Sequence, residues 1–241
     1  MKLLKVINSI LDSIINTIII IVLLISIYAV YDIFSIYNES ILDNDIIKYT
    51  EEEIVDIKKL KEEINEDICG WLRIDGTNIN YPLLHSNNEF EYLDKNYKKE
   101  FSITGSLFLD TNNSCDFSDD YSIIYGHNAK AKVMFSDIIN YEKISYFNKF
   151  NKGKIYTIDK EYDLYMYSYS IFESSNRFIY DVKNIKNNYN EKIINIYNQY
   201  SYNRSEMNIN SEDKLVALST CNDMAKGTRS VLLCKIEEHN N

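Results

Sequence analysis

Between Ile14 and Tyr31 the chain runs IINTIIIIVLLISIYAVY, without a charge and interrupted only by Asn16, Thr17 and Ser26. Coiled as an α-helix, this run is about 27 Å long, close to the roughly 30 Å hydrocarbon thickness of a bilayer. It is apolar all round, so it has no polar face to present to water as a surface helix would. Lys2 and Lys5 precede it; Asp32, Glu39, Asp43 and Asp45 follow. That asymmetry predicts a cytoplasmic N-terminus and an exterior location for everything after Asp32. The competing reading is a cleaved signal peptide. Ala29 offers it only a poor small-residue site, and the run is longer than the usual hydrophobic core of a signal. The expectation is a single-pass anchor in the cell membrane: residues 1–13 cytoplasmic, 14–31 spanning, the rest outside.

The remaining length suits one domain of ordinary size. Of the 241 residues, 45% are hydrophobic, enough to bury a core. The 36 acidic and 26 basic residues leave a formal charge of −10, which argues against a nucleic-acid binder. One Pro and six Gly exclude collagen-like and Pro-rich architectures. The 21 Tyr and 10 Phe favour strands over a pure helix bundle.

Hydrophobic periodicity divides the exterior part in two. Residues 32–69 read as helical. Ile33, Ile36, Tyr37 and Ile41 continue the first helix; Thr50 opens a capping box with Glu53; Ile54, Ile57, Leu60 and Ile64 form an apolar stripe ending before Gly70. From residue 70 to 241 the pattern is strand-like. WLRI, the Asp75-Gly76 turn and TNINYPLL read as two joined strands. SLFLD (106–110), YSIIY (121–125), KIYTID (154–159), DLYMYSYSIF (163–172), KLVALST (214–220) and RSVLLCKI (229–236) follow. Helical interludes are expected near 133–140 and over 184–200, the second with Ile185, Tyr189, Ile193, Tyr197 and Tyr200 on one face. Strands at this spacing, without regular strand–helix alternation, predict a mainly β fold: a closed or nearly closed barrel with inserted helices.

The chain has four cysteines, Cys69, Cys115, Cys221 and Cys234, and three histidines, His85, His127 and His239. No C-x-x-C pair exists and no His stands at zinc-ligand spacing, so no metal is expected. A disulfide among Cys69, Cys115 and Cys234 is left open by the sequence. Cys234 lies inside an apolar strand, the place of a buried small hydrophobe. His239 in the polar tail and His85 at a strand end read as structural or solvated. His127 differs: it follows the strand SIIY and Gly126 and leads into a polar turn at Asn128, a common location for catalytic side chains. Cys221 also ends a strand, and Arg229 opens the next. If the two strands form a hairpin, Cys221 and Arg229 face each other at its open end.

LSTC (218–221) followed by Arg229 resembles the signature of the sortases, cysteine transpeptidases of Gram-positive cell surfaces. GWLRIDGTNINYPLL (70–84), GSLFLD (105–110) and IIYGHNAKAKVMF (123–135) are similar, in order, to motifs of the class B branch. One departure is Ala217, where the family commonly carries Thr. The resemblance implies a barrel of about eight strands with an inserted helix before the penultimate strand. It also implies Cys221 as nucleophile, His127 as acid/base and Arg229 as stabiliser of the substrate carbonyl. Ser219, Thr220, Asp223 and Asn128 would then contact substrate, and the helix near 184–200 would wall the groove. The implied reaction cleaves a C-terminal sorting motif of secreted proteins after Thr. A Cys thioester then passes the acyl group to a peptidoglycan stem or cross-bridge amine, without a cofactor. The rival readings are a surface cysteine protease resolving the same thioester with water, and a non-catalytic anchored scaffold.

Overall fold

The computed structural model describes residues 2–40, 46, 55–129, 132–184, 189–200, 202–204, 206–223 and 226–239. The chain divides into two compact units, Met1–Glu39 and Ser40–Asn241. The first is one helix, α1 (Lys2–Ser40), whose stretch Leu4–Ser35 is long and apolar enough to cross a membrane.

In the second unit, the helix before the first strand is α2 (Ile57–Glu63). Its N-cap is Asp56, whose Oδ1 accepts from the Lys59 amide at 3.0 Å, relieving one of the free N–H groups of a helix start. The expected cap at Thr50 and Glu53 lies outside the described residues. Ile57 and Leu60 are buried, so the predicted stripe does face a core.

The strands are β1 (Ile68–Ile74), β2 (Asn80–Leu84), β3 (Leu107–Leu109), β4 (Tyr121–Tyr125), β5 (Lys152–Tyr156), β6 (Glu161–Glu173), β7 (Tyr202–Asn203), β8 (Lys214–Asp223) and β9 (Thr228–Glu238). They lie in the order β5-β1-β2-β3-β4-β8-β9-β6-β7, and β5 also pairs with β6. Eight strands therefore close a barrel, and β7 is an appendage to β6. The long β6 serves three neighbours: β9 along its length, β5 through Glu161–Tyr165, and β7 at Ser168 and Tyr169. The β2–β3 and β4–β8 pairs are parallel, the other pairs antiparallel.

Each sequence-predicted strand is present, with shifted ends. KIYTID (154–159) becomes Lys152–Tyr156, because the Thr157 hydroxyl accepts from the Lys160 amide and donates to the Lys160 carbonyl, turning the chain early. The Asp75-Gly76 turn is as read, with Gly76 at φ +73°, a region costly for any residue with a Cβ. The interlude near 133–140 is a 3-10 turn, Ser136–Glu142, followed by α3 (Ile144–Lys149). The second interlude contains α4 (Arg177–Tyr180), a 3-10 turn (Val182–Asn184) and α5 (Tyr189–Tyr200).

Three apolar clusters hold the unit together. The barrel interior contains Leu72, Leu83, Ile124, Phe135, Leu218 and Leu232. A second cluster covers the outer face of β4, β8 and β9 with Ile179 of α4 and Ile193 and Tyr197 of α5. A third, under α2, gathers Ile68, Trp71, Leu84 and Tyr92. Residues of β4 and β8 alternate between the first two clusters: Ile123 and Ala217 outward, Ile124 and Leu218 inward. Burial on both faces explains why YSIIY and KLVALS read as continuous apolar runs.

Candidate active site

The parallel pair β4–β8 sets Tyr125 opposite Ser219, a constant offset of 94 residues from Tyr121↔Leu215 onward. The Gly126 amide donates to the Ser219 carbonyl at 3.2 Å, carrying the alignment past the strand end. His127 lies two residues beyond the end of β4, and Cys221 two residues beyond Ser219 on β8. On the other side of β8, Cys221 pairs with Arg229 of β9, as the hairpin reading expected. β8 thus lies between β4, which leads to His127, and β9, which carries Arg229 opposite Cys221.

That end of the sheet opens into a groove of about 300 Å³ lined by Glu89, Phe90, Leu93, Phe108, Tyr125, Gly126, His127, Ser174, Tyr180 and Arg229. Half of these ten are aromatic or aliphatic, and the rest include one imidazole, one guanidinium and one carboxylate. Such a groove suits an extended peptide with apolar side chains and a polar backbone. The rings of Phe108 and Tyr125 lie 5.4 Å apart, and the Tyr125 hydroxyl donates to Asp110 Oδ2 at 3.0 Å. Burial, reinforced by that neighbouring carboxylate, pushes the Tyr125 phenol well above its ordinary range, so it stays a neutral donor.

His127 is held from two sides. Its carbonyl accepts from the Phe135 amide at 3.0 Å, and its Nε2 lies 2.7 Å from the Leu93 carbonyl oxygen. A carbonyl can only accept, so Nε2 carries the proton and Nδ1 is the nitrogen free to exchange one. Leu93 reaches this position because Gly105 (φ +57°) lets the backbone in. A Cβ there would stand 2.5 Å from the Leu93 oxygen and 2.6 Å from that of Tyr92.

Other expected contacts are placed differently. Ser219 and Thr220 are fully buried and do not line the groove. Thr220 falls on the inward register, and the Ser219 hydroxyl lies 3.3 Å from the hydroxyl of Tyr180, which does line it. Asn128 is exposed, and its backbone bridges to Met134. Asp223 pairs through its backbone with Thr228, beyond a bulge in β8. The described part of α5 does not wall the groove. Its apolar face is spent on the outer cluster, where Tyr197 meets Phe172 edge-on at 5.1 Å, and Tyr180 of α4 supplies the wall instead. Sequence reasoning missed Leu93, Phe108, Tyr125 and Tyr180. For Tyr125 a signal existed, its place two residues before His127 on one strand face. Among the described residues no cluster of His, Cys, Asp and Glu is arranged to hold a metal ion.

No family model matches the sequence. The chain is 30% identical over 179 residues to sortase B of Staphylococcus aureus, covering 73% of this chain and 72% of the relative. It is 30% identical over 203 residues to sortase B of Listeria monocytogenes, covering 79% and 82%. Among solved structures, a Staphylococcus aureus sortase B–substrate complex superposes with a TM-score of 0.72 at 25% identity, over 81% of this chain and 92% of that one. Similarity sustained over most of both relatives, on a barrel shared with a solved class B enzyme, makes this chain a member of the sortase B family of cysteine transpeptidases.

Proposed function

We propose that Cys221 is the nucleophile of this transpeptidase, His127 its acid/base and Arg229 its carbonyl stabiliser. The observation that supports the reading is that His127 and Arg229 line one groove and that Arg229 pairs with Cys221 across β8 and β9. The Cys221 thiolate attacks the carbonyl of a Thr in the sorting motif of a secreted protein. Arg229, always charged and forked, holds the developing oxyanion. As the C–N bond breaks, protonated His127 gives its Nδ1 proton to the leaving amine, and a thioester remains. An amine of the peptidoglycan stem or cross-bridge then attacks the thioester and returns a proton to Nδ1, and the thiolate leaves.

The same proposal covers topology. The charge asymmetry around Ile14–Tyr31 favours an uncleaved anchor with the N-terminus in the cytoplasm and the barrel outside, beside both substrates. Residues 14–31 would span, 32–69 would connect, and 70–241 would form the catalytic barrel. Protease added to protoplasts should then digest the barrel, and complete protection would overturn the orientation.

The reaction is tested with full-length chain in detergent micelles, a library of sorting-type peptides and mass spectrometry of the products. Cleavage after Thr, with an acyl group captured on Cys221 and diverted to amide by wall-type amines, is the expected result. Cys221-dependent cleavage that yields only free acid under saturating amine would overturn transfer and favour the protease.

A further inference from the structure

A second cysteine–histidine constellation lies away from the groove. Cys69 is the extra residue of a β-bulge: β1 and β2 pair Ile68 with Leu84 and Gly70 with Leu83, leaving Cys69 unopposed. The bulge resets the two-residue alternation. Ile68 and Trp71 face the cluster under α2, whereas Cys69 and Leu72, three apart, both face the barrel interior. His85 follows β2 directly, its amide donating to the Asp67 carbonyl at 2.8 Å beside the same bulge.

The third member comes from the loop between β3 and β4. Asn113 pins that loop, its Nδ2 donating to the Tyr121 carbonyl and its Oδ1 accepting from the Ile123 amide, each at 2.9 Å. The Ser114 amide donates to Asp119, and the Tyr162 hydroxyl donates to the Asp116 carbonyl at 2.7 Å. Cys115 sits between these anchors, half-buried against the interior cluster. Cys69 and Cys115 share that cluster, and Cys115 lies near enough to Cys69 and to His85 for each to act on the other's charge. Cys234 takes no part: it lies in β9 with its thiol toward the Leu232 carbonyl. Three elements far apart in sequence therefore converge on two thiols and one imidazole.

We propose that Cys69 and Cys115 are a redox pair that closes to a disulfide, with His85 holding Cys115 as the attacking thiolate. The supporting chemistry is local. Cys115 is brought down to about 5 by the Cys69 thiol and then by the adjacent His85, while Cys69 is pushed up, chiefly by the same thiol partner and by burial. Cys115 is thus the attacking sulfur and Cys69 the resolving one. The oxidant is a small-molecule or protein disulfide. The Cys115 thiolate attacks one of its sulfurs and expels the first thiolate. Cys69 then attacks Cys115, losing its proton as the second thiolate leaves and takes one up. Two protein thiols are oxidised and one disulfide is reduced to two thiols. An exterior compartment favours such a bond. The bond would tie the bulge of β1 to the loop that begins at Asp110, the acceptor of the Tyr125 hydroxyl in the groove wall.

Full-length chain in micelles, equilibrated with glutathione disulfide, acid-quenched, alkylated and mapped by mass spectrometry, tests this. The expected product is the Cys69–Cys115 linked peptide, exceeding the reduced form at least about tenfold. It should melt about 5–10 °C above the reduced protein. Cys115→Ser should abolish both the link and the shift, with Cys234 still a free thiol. Should that variant fail to fold, the disulfide map of the unaltered chain decides alone. His85→Gln should slow closure at pH 5.5 by about five- to tenfold without changing the pH 8 endpoint. Persistent free thiols at 69 and 115, or a stable glutathione adduct on Cys115 that Cys69 never resolves, would overturn the pair. An unchanged rate in His85→Gln would remove His85 from it.

Discussion

Two places in the barrel unit bring cysteine and histidine together, and they are built in opposite ways. At the turn end of the β8–β9 hairpin Cys221 pairs with Arg229, and Arg229 and His127 line one groove. At the β1 bulge, Cys69, Cys115 and His85 gather against the interior, with Lys61 the cation that acts on both thiols. Both sites supply a thiol and an imidazole. The first adds the groove that His127 and Arg229 line, where the proposal has Arg229 hold the developing oxyanion. The chemistry a cysteine can do is decided by what surrounds it: transfer needs an open approach, whereas a thiol pair needs only each other.

The sharpest way to break this contrast is to exchange nothing but one sulfur at each site. Cys221→Ala should lower sorting-peptide cleavage by at least about 10⁴-fold, since a reaction through a covalent intermediate has no substitute for its nucleophile. Cys115→Ser should stay within about twofold of the unaltered enzyme, losing the melting shift instead. Comparable losses of turnover from both would mean that the two sites are not separate. Next in size is Arg229→Lys. Charge is kept but the planar fork is lost, and one oxyanion donor is worth on the order of 100- to 1,000-fold in rate. Near-normal turnover with an intact circular dichroism spectrum would leave the first site no better equipped than the second.

How legible each site was in the sequence follows from the range of the contacts that build it. Cys221, His127 and Arg229 sit at the ends of strands whose apolar runs are unmistakable, so their grouping follows once those strands are paired. The bulge at Cys69 was not legible, because it is a mismatch between β1 and β2 and appears in neither alone. The partners of Cys69 and Cys115 therefore emerged only with the fold. The expected groove wall meets a related limit: Ile185 of the 184–200 stripe lies outside the described residues, while Ile193 and Tyr197 pack in the outer cluster, and a stripe alone does not say which face it covers. Ser219 and Thr220 flank Cys221 in sequence, yet alternation and the overlying Tyr180 keep both out of the groove.

A finer probe of the first site is Gly105→Ala. The added methyl would meet the Leu93 and Tyr92 carbonyls, and φ +57° already disfavours it. Displacing the Leu93 oxygen frees Nε2 of His127, so the ring loses both its orientation and its fixed tautomer. Stability should fall by about 1–3 kcal/mol and kcat/KM by about tenfold. A stability loss with unchanged kcat/KM would reduce Leu93 to a packing role.

The smallest expected effect belongs to the second site and is read by alkylation under reducing conditions. An ordinary thiol near 8.5 reacts about tenfold more slowly for each pH unit below that value, because only the thiolate attacks. Cys115, lowered to about 5 by the Cys69 thiol and then by His85, should already be thiolate at pH 6. Its rate with iodoacetamide should therefore change by less than about twofold between pH 8 and pH 6, and fall only below pH 5. Cys234, pushed up by full burial in β9, should not react in the folded protein at either pH. A tenfold drop for Cys115 over that interval would show that neither Cys69 nor His85 holds its charge. The second site would then be two buried thiols and a bystander imidazole, and the contrast between the two regions would rest on the groove alone.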